Sequence, residues 1–213
     1  DFKECVSWRN VLGKRFIALC YKIPKVRIGS VYFQDIDIVE DKDSSCMLWE
    51  GTKQNTIKRR GTLGYPLLSQ VNLLMDLNHS VIIASNDLQK LKKDGYDIDV
   101  FTKVPVRKFS ESLMFTVETD LGKLDLLLDS GATCTLIKSS FFTNTSLEKT
   151  TYGMHKCRLK KFQIGQQNFE DMEVHSFDFS EKISDFDGVI GVDFLKKHPI
   201  YIDFDKEIVY IKM

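Results

Sequence analysis

The chain has 213 residues and a mass of 24.6 kDa, with 43% hydrophobic and 28% charged residues. That is room for one large domain or two lobes, with the composition of a globular protein and not of a disordered, collagenous or coiled-coil chain. Thirty basic residues balance thirty acidic ones, which argues against a nucleic-acid footprint or a polybasic membrane anchor. No apolar run approaches the roughly 18 to 20 residues of a bilayer span.

In chain order, Val26-Arg27-Ile28-Gly29 leads into a segment from Phe33 to Val39 that alternates apolar and polar residues. Alternation at period two predicts a half-buried strand. The polar stretch from Asp41 to Arg60, ending in Lys58-Arg59-Arg60, reads as a solvated loop. Gly61-Thr62-Leu63-Gly64 precedes a short helix predicted over 67–71, and Val81-Ile82-Ile83 reads as a strand. Residues 87–99 read as a linker with one helix. Met114 to Glu118 and Lys123 to Leu128 flank Asp120-Leu121-Gly122 and predict a hairpin. A strand is predicted over 169–174 and a helix over 194–197. A closing hairpin around Asp205-Lys206 joins 201–204 to 208–211.

Several of these pieces occur twice. Ile28-Gly29 and Asp35 lie 136 positions before Ile164-Gly165 and Asp171. Gly61-Thr62-Leu63-Gly64, Leu68 and Asp76 lie 127 positions before Gly188-Val189-Ile190-Gly191, Leu195 and Asp203. Any β-rich chain repeats alternating strands, but matched Gly-x-x-Gly, Leu and Asp positions require more. The expectation is a duplicated unit. Residues 1–84 form a first lobe whose N-terminal part is incomplete, 85–109 a linker, and 110–213 a second lobe. Asp76 and Asp203, followed by no Ser/Thr-Gly, read as turn or surface carboxylates.

The five cysteines, Cys5, Cys20, Cys46, Cys134 and Cys157, are odd in number and widely spaced. This fits free thiols and a reducing compartment such as the cytoplasm more than a disulfide framework. His155 and Cys157 share one strand face, but no second pair has metal-ligand spacing. Cys134 reads as a small core residue that could make its neighbourhood sensitive to oxidation.

The chemistry points to Leu126-Leu127-Leu128-Asp129-Ser130-Gly131-Ala132-Thr133. An apolar strand runs into a carboxylate, a small hydroxyl and a glycine, which suits an acid held on a tight loop at a strand end. Alone, Asp-Ser-Gly is also an ordinary turn. In context it resembles the aspartic peptidases of the retroviral type. Asp129-Ser130-Gly131-Ala132 matches that family's acid loop, Tyr152-Gly153-Met154 lies where a flap tip is expected, and Val189 to Leu195 matches the closing strand and helix. The match covers about residues 112 to 213 and, more faintly through the duplication, 12 to 84.

The resemblance implies a mainly β, two-lobed acid-protease fold with pseudo-twofold symmetry. It implies an aspartic endopeptidase acting on an extended peptide or protein, with no metal or organic cofactor. Asp129 would be one of two catalytic carboxylates, with Ser130, Gly131, Ala132 and Thr133 shaping its loop. Tyr152, Gly153 and Met154 would form the flap, Gly191 would support the loop, and a first-lobe flap would lie near Leu12 to Phe16. The first lobe has no Asp-Thr/Ser-Gly, because the offset of 136 places it before Asp1. Three readings stay open: an upstream fragment of the same protein supplies the acid, a second copy supplies it, or the chain is an inactive pseudo-peptidase. Competing classes are a peptide-binding module of the same fold and a structural β domain in which Asp-Ser-Gly is only a turn.

Overall fold

A computed structural model describes residues 2–9, 15–40, 62–142, 148–149, 154–179 and 185–213. The expected loop over 41–60, residues 12–14 of the first-lobe flap expected near Leu12 to Phe16, and Tyr152 and Gly153 lie outside these residues. The chain divides into two compact units, Asp1–Gln70 and Val71–Met213.

The first unit holds β1 (Phe2–Arg9), β2 (Arg15–Ile28), β3 (Val31–Glu40) and α1 (Tyr65–Leu68). The strands form an antiparallel meander in that order. Phe33 and Ile36 of β3 and Leu67 of α1 are buried. Gln70 ties the segment after α1 to β3: its side-chain carbonyl accepts from the Gln34 N–H at 2.9 Å, and its amide donates to the Gln34 carbonyl at 2.7 Å. The β2–β3 turn uses Gly29 at φ +60°, and Asp35 is left-handed at φ +52°.

The second unit starts with β4 (Leu73–Asp76), β5 (Val81–Ala84), α2 (Leu88–Lys93), a short 3-10 turn over Ile98–Val100, and β6 (Thr102–Pro105). Next come β7 (Arg107–Phe109), β8 (Ser112–Thr119), β9 (Gly122–Leu128) and β10 (Leu136–Lys138). Then follow β11 (Glu148–Lys149), β12 (His155–Leu159), β13 (Phe162–Ile164), β14 (Gln167–Asn168) and β15 (Met172–Phe177). The unit ends with β16 (Gly188–Ile190), α3 (Val192–Lys197), β17 (Ile200–Asp203) and β18 (Ile208–Ile211).

Two sheets result. One runs β11-β12-β15-β10-β16-β9-β8-β13-β14, with β7 also paired to β8. The other has five strands in the order β5-β4-β17-β18-β6. The division after Gln70 falls ahead of the expected linker at 85–109. The reason lies in pairing: β4 bonds to β17, with Leu73 opposite Ile202, Leu74 opposite Tyr201 and Met75 opposite Ile200. Strands 73–76 and 81–84 thus belong to the sheet of the C-terminal hairpin. The helix at 88–93 stands where one was expected, and Phe169 precedes β15 instead of opening it.

Alternation sets the core. In β15, Met172, Val174 and Ser176 are buried and their neighbours half-exposed, as for a strand with one face inward. All of β17 is buried, as expected of a strand covered on both faces. Leu74, Leu91, Ile98, Phe101 and Tyr201 make one cluster, which packs α2 and the following turn onto the five-stranded sheet.

Asp76 and Asp203 are not surface carboxylates; both are buried. Each ends a strand and closes the turn after it. Asp76 accepts from the His79 N–H at 3.3 Å, the His79 ring at 2.8 Å and the Tyr96 hydroxyl at 3.1 Å. Asp203 accepts from the Lys206 N–H at 3.1 Å and its ammonium at 2.7 Å. Burial by itself would raise the Asp76 carboxyl, but the bonds from His79 and Tyr96 outweigh it and hold the group below its ordinary value.

Two outcomes are expected. Leu74→Ala lowers unfolding free energy by about 2 to 5 kcal/mol, as a fully buried Leu deletion does. Ile82→Ala, 62% exposed on the partner strand, stays within about 0.5 kcal/mol; urea titration reads both. For Asp76, a native value below the unfolded one means stability that is present above the ordinary carboxylate range and lost as pH falls through the native value. The urea midpoint should therefore drop below about pH 4, and Asp76→Asn should show a smaller acid-induced drop.

Candidate active site

The apolar run Leu124 to Leu128 forms β9, and the chain turns sharply at its end. The Asp129 N–H donates to the Ile190 carbonyl at 3.0 Å, and the Ala132 N–H returns to the Asp129 carbonyl at 3.2 Å. The Asp129 carboxylate accepts from the Gly131 N–H at 2.8 Å. A Cβ on Gly131 would sit 3.0 Å from that same carboxylate oxygen, so glycine gives the acid its room. Asp129 and Ala132 are half-buried, while Ser130, Gly131 and Thr133 are exposed. The loop thus presents its carboxylate at the rim of the sheet.

The loop is anchored from below. β16 lies between β9 and β10, parallel to β9 with Ile190 opposite Leu128, and antiparallel to β10 with Gly188 opposite Ile137. Two glycines permit this fit. A Cβ on Gly188 would lie 2.1 Å from the Leu136 carbonyl oxygen, and one on Gly191 would lie 2.5 Å from the Cys134 carbonyl carbon and oxygen. No side chain can occupy either position without moving backbone. Gly191, expected to support the loop, is the residue before α3, and the next N–H, that of Val192, donates to the Ala132 carbonyl at 2.8 Å.

Two further residues were not singled out from the sequence. Thr135 is fully buried at the end of the loop. Its N–H and hydroxyl both donate to the Asp193 carboxylate at 2.9 Å, and its hydroxyl oxygen accepts from the Gly191 N–H at 3.2 Å. Asp193 also accepts from the Phe194 N–H at 2.9 Å in the first turn of α3. This fixes the far end of the acid loop to the start of the closing helix. An Asp within one residue of a helix start is a readable cap signal, but its partner is 58 positions away.

The other sequence candidates fall into place. Met154 is half-buried just before β12; its flap partners lie outside the described residues. Cys134 is half-buried, and burial, aided by the Asp193 charge, pushes its thiol up. That disfavours the nucleophilic thiolate. His155 and Cys157 lie on β12, and among the described residues no group of three His, Cys, Asp or Glu side chains is placed to hold a metal. No helix of the described residues is long and apolar enough to cross a membrane.

The fold has known counterparts. No family model and no curated protein matches the chain. Among solved structures, an aspartic proteinase from Irpex lacteus superposes with a TM-score of 0.54, covering 98% of this chain and 81% of that one at 15% identity. A retropepsin-like aspartic protease from Rickettsia conorii has a TM-score of 0.40, covering 52% of this chain and 87% of that one at 15% identity. The chain therefore has a mainly β fold of the aspartic-protease type.

The anchoring generates a stability prediction. Gly191→Ala should cost about 1 to 3 kcal/mol or more through overpacking against backbone. Asp193→Ala should cost about 1 to 3 kcal/mol by leaving the buried Thr135 donors unpaired. Ser130→Ala, at an exposed position, should be close to neutral; thermal and urea unfolding compare all three.

Proposed function

We propose that this protein is an aspartic endopeptidase of the retropepsin-like type, with Asp129 as one of its two catalytic carboxylates. The carrying observation is the clamped Asp129-Ser130-Gly131 loop at the end of β9, in a chain with an aspartic-protease fold. In this reading the second carboxylate faces Asp129 across a pseudo-twofold axis. Two carboxylates about 3 Å apart share one proton, because both charges cannot persist at that distance. The ionised one takes a proton from water as the water attacks the scissile carbonyl carbon. The protonated one donates to the carbonyl oxygen, and the proton then passes to the leaving amine as the C–N bond breaks. The substrate lies extended under Tyr152, Gly153 and Met154, and main-chain hydrogen bonds supply part of its binding.

Duplication is the second part of the proposal, and local backbone geometry supports it. Gly29 and Gly165, 136 positions apart, both have φ +60°. Asp35 and Asp171, again 136 apart, have φ +52° and +51°. At the offset of 127, β4 and β5 match β17 and β18 residue for residue. Ser80 and Glu207 in their turns have φ +56° and +52°. Gly64 and Gly191 precede α1 and α3 with similar extended backbones. Leu74 and Tyr201, equivalent by this offset, pair with each other, so a local twofold passes between β4 and β17. The lobes proposed are 1–84 and 110–213. In this reading the partner acid is supplied by an upstream fragment of the same protein or by a second copy.

The test is cleavage of a diverse peptide pool at roughly pH 4 to 7, a range that brackets a paired acid, by the native protein and by Asp129→Asn. Cleavage by the native protein and none by the variant is expected. Equal cleavage by both overturns the role of Asp129. Silence from both, with the upstream segment present, assigns the fold to peptide binding without hydrolysis.

A further inference from the structure

The larger sheet of the second unit has a closed face and an open face. Leu124 and Leu126 of β9, Ile137 of β10, Val174 and Ser176 of β15 and Cys157 of β12 are buried on the closed side. Their neighbours in each strand's alternation are half-buried or exposed and line the other side. On that open face the strand register lines up one row. Leu127 stands opposite Val189, Val189 opposite Leu136, Leu136 opposite His175, and His175 opposite Lys156.

The next row, two residues along each strand, starts at the candidate acid. Asp129 is tied to β16 by its N–H on the Ile190 carbonyl, so it keeps the alternation of Leu127. Gly191 comes next, and the place of its missing Cβ is 2.5 Å from the Cys134 backbone. Cys134 in turn feels the charge of Glu173, and Glu173 stands opposite Arg158. The row that opens on Asp129 thus ends in a charged group. Lys156 pairs with Glu173 at 2.7 Å. That bond, with the charges of Lys156, His175 and Arg158, outweighs burial and holds the Glu173 carboxyl below its ordinary value. One carboxylate stands against two permanent cations, so the end of the row keeps a net positive charge, with Arg158 exposed.

We propose that Arg158, backed by Lys156, selects peptide substrates that carry an acidic side chain at a fixed distance from the scissile bond. The inference rests on the reading of Asp129 as a catalytic acid. Asp129 and Arg158 are four strand spacings apart in the row, roughly 19 Å along a flat sheet. An extended peptide covers that distance in roughly five or six residues. The acidic side chain therefore lies about that far from the cut, on one side of it. A guanidinium suits the task because its planar fork can bond both oxygens of a carboxylate. A basic substrate residue at the same place meets the surplus positive charge, and Glu173 is already bonded to Lys156.

Cleavage and binding together test this and separate it from the reading it rests on. Peptides cut by the native protein from a diverse pool should share Asp or Glu at one position about five residues from the cut. Arg158→Gln should lose that preference and process the acidic peptides at least about tenfold less efficiently, mainly through a higher KM. Arg158→Glu should turn the preference toward Lys. Asp129→Asn reads recognition without cleavage. Labelled peptides of about twelve residues with an apolar centre, carrying Glu, Ala or Lys about five residues from it on either side, should bind it most tightly with Glu and least with Lys. Added salt should narrow the difference. Cleavage with no acidic preference, or a preference that survives Arg158→Gln, overturns the proposal and leaves Asp129 in its role. Equal binding of the three peptides also overturns it. Tighter binding of the Glu peptide without cleavage by the native protein supports the selection and removes the catalytic reading.

Discussion

Everything at the candidate site depends on one close approach of backbones. β16 passes between β9 and β10, and its path exists only because positions 188 and 191 carry no side chain. The parallel pairing of β16 with β9 puts the Ile190 carbonyl under the Asp129 N–H. That single bond sets where the acid leaves the sheet. Hydrogen bonds at Val192 and Thr135 then hold the rest of the loop, and the helix that follows inherits its starting direction from them.

The five-stranded sheet plays the complementary part. Its paired strands β4 and β17 are largely buried, and both end in carboxylates: Asp203 is bonded from its own turn, and Asp76 from its own turn and from Tyr96 after α2. Those carboxylates are structural. They stop the strands and hold the turns. Asp129 has a different setting: a half-buried carboxylate on a glycine loop, bonded to the Gly131 N–H. Environment, and not residue type, separates Asp129 from Asp76 and Asp203.

Much of this was legible in the sequence because it rests on local rules. Alternation placed β3, β8, β9 and the closing hairpin. The Gly-x-x-Gly spacing placed both short helices, and Leu128-Asp129-Ser130-Gly131 placed the acid loop. What was not legible depends on distant partners. The burial of Asp76 needs Tyr96, twenty positions away on the segment after α2. The Thr135–Asp193 link spans 58 positions. β6 was missed because Pro105 breaks the pattern of Thr102 to Val106. The structure puts that strand at a sheet edge, where a proline's missing N–H is tolerated. The expected boundary after residue 84 followed from the repeat read in the sequence, whereas contacts divide the chain after Gln70, with β4 and β5 joined to the sheet of the C-terminal hairpin through β17.

The pairing of Leu73 with Ile202 also sets a timetable for folding. The β4–β5 hairpin is made well before β17, the strand that pairs with its inner edge. Until β17 is made, the edge of β4 is unpaired and Tyr201 is missing from the cluster around Leu74. Long-range pairing of this kind slows folding and leaves apolar edges open to other chains. A ribosome stalled before residue 200 would hold a nascent chain with an open, aggregation-prone edge, and β17 is the latch that closes it.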